Sequence, residues 1–144
     1  MKAKLTRCFH ALAFTFLVVL TARAEQPGAM AWFERAAAEM GDLRVPLSQE
    51  RLERGAAAIA RAKAIGGVTE RECELIDAVA EFYHRHPERT HDERLVYYER
   101  ALSRSRRAHP QDPVIARSHA RASAIAFARA RERVEAAYAP RSAD

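Results

Sequence analysis

His84, His86 and His91 fall within one short stretch, YHRHPERTHDE, with Glu88, Asp92 and Glu93 among them. Imidazole nitrogens and carboxylate oxygens are ligands for zinc and copper, so a loop that folded these side chains together would hold a metal. The spacing argues the other way. His84 and His86 flank Arg85, Arg89 adds a second cation, and no pair stands at the His-x3-His interval that sets two imidazoles on one helical face. The stretch reads as a solvated turn between helices, and no metal or other cofactor is expected. His109 precedes Pro110 in a second loop, and His119 reads as a packed or rim side chain of the last helix.

Other chemistry is thinner. Glu70, Glu72, Glu74 and Glu81 read as the exposed side and the cap of one helix rather than as an acid/base pair. There is no Gly-rich phosphate loop, no strand-turn-Ser nucleophile and no paired-Cys motif, and these absences point away from an enzyme. Arg104, Arg106, Arg107, Arg117, Arg121, Arg129, Arg131 and Arg133 would suit phosphate groups, but a solvated arginine face is the plainer reading. Cys73, spaced one turn before Ile76, is expected to be buried as a small hydrophobe.

The amino end sets the address. Lys2, Lys4 and Arg7 lead into the apolar run CFHALAFTFLVVL, and Ala22-Arg23-Ala24 gives a small-x-small site before Glu25. This is the order of a secretory signal over residues 1–24, with residues 25–144 as the mature domain. Only fifteen residues separate Arg7 from Arg23, short of the roughly 20 that span a bilayer, so membrane contact is expected only during export. The mature chain is expected in the periplasm or outside the cell, which makes nucleic acid a poor partner. It is also polarised: residues 25–99 hold ten basic and fifteen acidic side chains, residues 100–144 ten basic and four acidic. Successive helices of opposite charge attract one another in a stack.

Those helices must position everything else. Thr69 with Glu72 and Thr90 with Glu93 have the reciprocal spacing of capping boxes, and His86-Pro87 breaks the chain between them, so a helical hairpin is predicted over residues 66–113. Before it, Trp32, Phe33, Ala36 and Met40 share one face of a helix ended by Gly41. A second helix, capped by Ser48, carries Leu52, Gly55, Ala56, Ile59 and Ala60. A fifth opens at Asp112-Pro113 and runs to about Tyr138, with Pro140 ending it. Its first half puts Ile115, Ser118, Ala122, Ile125 and Ala126 on one face; Phe127, Ala130, Val134 and Tyr138 lie a quarter turn or more away. No strand-like alternation occurs, and the fold class is all-α.

Ala29-Met30-Ala31-Trp32 resembles the start of a tetratricopeptide-type helix. Gly66-Gly67, Thr69, Arg71-Glu72, Ile76, Ala78 and Phe82-Tyr83, then Tyr98-Glu99, Ala101-Leu102, Pro110, Asp112 and Pro113, resemble a stretch of a group of bacterial tetratricopeptide-repeat proteins. The likeness covers about residues 29–126. It is degenerate, since Arg106 stands where the repeat expects Pro after Ala101. The resemblance implies antiparallel hairpins stacked as a short α-solenoid, and a non-enzymatic scaffold or adaptor that binds a helix or extended peptide in the groove lined by the first helix of each pair. Trp32, Phe33, Phe82 and Tyr83 are the candidate contacts. Phe127, Val134 and Tyr138, turned from their own core, are candidates for self-association or a partner helix. Other readings are a small periplasmic protein binding metal through His84–His91 or anionic lipid through the arginine-rich last helix, and a truncated remnant without activity.

Overall fold

The computed structural model describes residues 27–138, so the expected signal over residues 1–24, the mature start at Glu25 and the stop at Pro140 lie outside the described residues. Five helices follow one another: α1 Ala29–Met40, α2 Gln49–Ile65, α3 Glu70–Tyr83, α4 His91–Ala108 and α5 Pro113–Tyr138. Among the described residues there is no strand, and no helix is long and apolar enough to cross a membrane.

The boundaries follow from local chemistry. Ser48 Oγ accepts from the Arg51 backbone N–H. Both boxes close reciprocally: Thr69 and Thr90 each accept from the third residue of their helix, and the Glu72 and Glu93 carboxylates accept from the cap N–H at 2.8 and 2.7 Å. Those bonds hold both carboxyls below the usual range. Asp112 Oδ1 accepts from Val114 and Ile115 at 2.8 and 3.0 Å and starts α5. Arg71 of α3 pairs with the same carboxylate, the main reason its pKa is strongly lowered. α3 ends at Tyr83, earlier than His86-Pro87 alone requires, because Arg85 takes φ +54° and turns the chain there.

Each helix packs on the next, and α1 also touches α3. Phe82, Leu95, Leu102 and Ile115 are fully buried between them. Gly55 lets α3 approach α2: a Cβ there would lie 2.2 Å from Tyr83 Cζ. The Tyr83 hydroxyl continues past it and donates to the Ala36 carbonyl of α1 at 2.7 Å.

Two assignments need correction. Cys73 is exposed. The buried file of α3 is Leu75, Ile76, Ala78, Val79, Phe82 and Tyr83, and Cys73 sits roughly 140° from its centre. On α2 the buried set is Leu52, Gly55, Ala58, Ile59 and Ala62; Ala60 is exposed and Ala56 half-buried, because α1 and α3 cover the helix from a direction rotated past the predicted line.

Candidate functional site

The histidine stretch does not converge. His84 is exposed and His86 half-buried, while His91 opens α4 as a buried ring. Its Nε2 lies 2.9 Å from the Leu43 carbonyl, and that oxygen requires the proton on Nε2. Nδ1 is buried with no hydrogen-bond partner among the described residues. A second proton would be a buried cation near Arg94 and Arg129, so burial first, and those arginines after it, push the pKa below 6.5. The solvated-turn expectation therefore fails for His91, because the α1–α2 loop folds back and buries Leu43 against it. Arg94 is buried as well and donates to the carbonyls of His86 and Arg89, closing the α3–α4 loop. Among the described residues no three His, Cys, Asp or Glu side chains gather as metal ligands would.

The arginines of the second half are largely engaged. Arg129 and Arg133 reach Asp92 of α4 at 3.0 and 3.6 Å, Arg131 reaches Glu135, Arg121 donates to the Gly41 carbonyl, and Arg106 donates to the Pro110 carbonyl. The carboxylate pairs of Arg129, Arg131 and Arg133 offset charge on the basic face that a phosphate-rich partner would need, while the carbonyl bonds of Arg106 and Arg121 orient those guanidinium groups and leave their charge in place.

Of the aromatic candidates, Phe82 and Tyr83 are 0% and 3% exposed and cannot meet a ligand. They are core: Phe82 makes edge-on contacts with Tyr83, His91 and Tyr98. Trp32 is half-covered on the α1–α2 side, with the guanidinium carbons of Arg35 and Arg61 each 4.5 Å from its ring centre. It lines an open bay with Glu39 and Arg54. Phe33 faces elsewhere. It lines a cleft of about 200 Å³ with Met40 of α1, Leu75 and Val79 of α3, Tyr98 and Leu102 of α4, and Arg121 of α5. Trp32 and Phe33 are thus separated, and neither shares a surface with Phe127, Val134 and Tyr138, which are 73%, 56% and 83% exposed on the far half of α5.

A wider hollow, about 580 Å³ where α2, α3 and α4 meet, is walled by Lys63, Glu74, Asp77, Glu81 and Arg104. Lys63 pairs with Asp77 at 2.7 Å and Arg89 lies 4.0 Å from Glu81, whereas His109 Nε2 lies 3.3 Å from Glu74 without a hydrogen bond, and Glu74 Oε2 and His109 Nε2 are buried with no partner among the described residues. Sequence reasoning missed Leu43, and it named Arg121 only as part of an arginine face, whereas both line the cleft with Phe33. An apolar residue two positions after the Gly41 helix stop was the available sign for Leu43.

Comparison with known protein families, with curated proteins and with solved structures gives no significant match, so the reading of these surfaces rests on the residues that form them.

Proposed function

We propose that the chain is an exported, non-enzymatic protein-interaction module, a short and degenerate tetratricopeptide-type array of helical hairpins. The observation that carries this is the cleft at Phe33. Its walls come from α1, α3 and α5, the first helix of each successive pair, together with Tyr98 and Leu102 of α4, while α2 contributes none of them. At about 200 Å³ it falls under the roughly 300–1,000 Å³ of pockets for small molecules, and it suits one apolar side chain of a peptide. Phe33 and Val79 give that side chain an apolar seat. Arg121 at the rim offers a guanidinium to a peptide carbonyl or carboxylate. The signal-like residues 1–24 support the exported address.

A photoreactive phenylalanine analogue in place of Phe33, in cells that export the chain, is expected to trap one protein species. The same analogue in place of Tyr97, exposed on α4, is expected to trap none. If neither position yields an adduct, or both yield the same one, the cleft is not the binding site.

A further inference from the structure

Down the axis of α5 the side chains divide into two files. Ile115, Ala122 and Ile125 are buried, and Arg129 and Arg133 carry their line on to Asp92. Roughly 150° round from it, at 100° per residue, run Ala116, Ala120, Ser123, Phe127, Arg131, Val134 and Tyr138, all within about 40° of one direction. Phe127, Val134 and Tyr138 are the most exposed large apolar side chains on this helix, and Ala120 is exposed with them.

This second file is symmetric about Phe127. Ala120 and Val134 stand seven residues to either side of it, and Ala116 and Tyr138 eleven. The small residues lie on one side of the centre and the large ones on the other. We propose that a second copy of this chain packs antiparallel along α5, with a two-fold axis at Phe127. That arrangement sets Ala120 against Val134 of the second copy and Ala116 against its Tyr138, small opposite large at every step away from the centre. Facing helices interdigitate well on that pattern. A parallel pair would oppose Tyr138 to Tyr138 and Ala116 to Ala116, splaying one end and leaving a gap at the other.

Charge agrees with the antiparallel sense. Arg117 and Glu135 lie on the same side of the file, roughly 80° from Phe127, and an axis at Phe127 brings each to within two residues of the other's register across the pair. Arg117 makes no ion pair among the described residues, and Glu135 is held only by exposed Arg131, at 3.1 Å. The surface is separate from the cleft at Phe33, so either can fail without the other.

Single cysteines in the full chain, carrying Cys8→Ser and Cys73→Ser, test the register. Phe127→Cys is expected to form an oxidative homodimer at least tenfold faster than Ala120→Cys or Val134→Cys alone, since two copies of either outer position lie fourteen residues, about 21 Å, apart along the axis. Mixing the Ala120→Cys and Val134→Cys chains should restore rapid linking. Light scattering at tens of micromolar should give a dimer that Phe127→Asp converts to a monomer with unchanged helix content. Equal linking at all three positions would mean parallel pairing and overturn the proposal. A monomer at that concentration would also overturn it, including one whose Phe127→Cys thiol is shielded from a maleimide by the chain's own apolar residues 8–20.

Discussion

The junction between the two hairpins and the far half of α5 are both built on aromatic side chains at helical spacing, yet they end in opposite environments. At the junction, Tyr83 presses on Gly55 at a distance no Cβ would tolerate and bonds the Ala36 carbonyl, while Phe82 has no exposed surface. On α5, Phe127 and Tyr138 stand in solvent, and what fastens that half to the body is the pair of arginines on Asp92. The difference lies in what covers the helix. Helical periodicity says which residues share a face; only the neighbouring helix decides whether that face is core. One region is held by shape and the other by charge, and the two should answer differently to substitution, acid and salt.

The sharpest way to break the contrast is to spoil the close approach. Gly55→Ala is expected to destabilise the fold by about 1–3 kcal/mol in chemical denaturation, because either Tyr83 leaves its bond to Ala36 or α2 and α3 move apart. A neutral result would mean that the junction is not tightly packed.

Acid should act on the hairpin contact through His91. Above pH 6.5 the ring is neutral in both folded and unfolded chains, and nothing is lost. As the pH falls below 6.5 the unfolded chain takes the proton first, so stability declines until the pH has passed the lowered folded value. The capping carboxylates Glu72 and Glu93 add their own loss only below about 4.5. Thermal melts across pH 7 to 5 should therefore show a slope that His91→Gln flattens. An unchanged slope in that variant would remove His91 from the account.

The smallest effect belongs to the charge-held region. Asp92→Asn should cost about 1 kcal/mol globally, the upper end for surface pairs, because Arg133 is more than half exposed and screened by solvent while Arg129 and Asp92 are 32% and 16% exposed. Amide exchange in the second half of α5 should nonetheless quicken, and added salt should produce the same quickening in the unaltered chain. If exchange there stays the same in both cases, something other than Asp92 holds that half down.

The local parts of this architecture were legible in the sequence because their causes are local. Thr69, Thr90, Ser48 and Asp112 cap helices through atoms within three residues of themselves, and Gly41 stops α1 by its own φ of +54°. The outward turn of Phe127, Val134 and Tyr138 could also be read, since it needs only the angle between two files on one helix. What was not legible depends on residues far away in the chain. Nothing near His91 says that Leu43 will lie against it, and nothing near Tyr83 says that Gly55 leaves room for its ring. For the same reason the candidate contacts divided, with Phe82 and Tyr83 going to the core and Phe33 to the cleft.

The hydroxyl of Tyr83 and the ring of His91 meet carbonyls that lie 47 and 48 residues earlier in the chain, on Ala36 and Leu43. Both early partners belong to the first hairpin, half of whose buried helical residues are alanine. Because the chain is made amino end first, that hairpin is complete before the residues that secure it exist. At roughly 5–20 residues per second the wait is about 2–10 s, during which α1 and α2 have no third helix to lean on. The first hairpin in sequence is therefore not the first to be locked in place, and assembly is timed by the arrival of α3 and the start of α4.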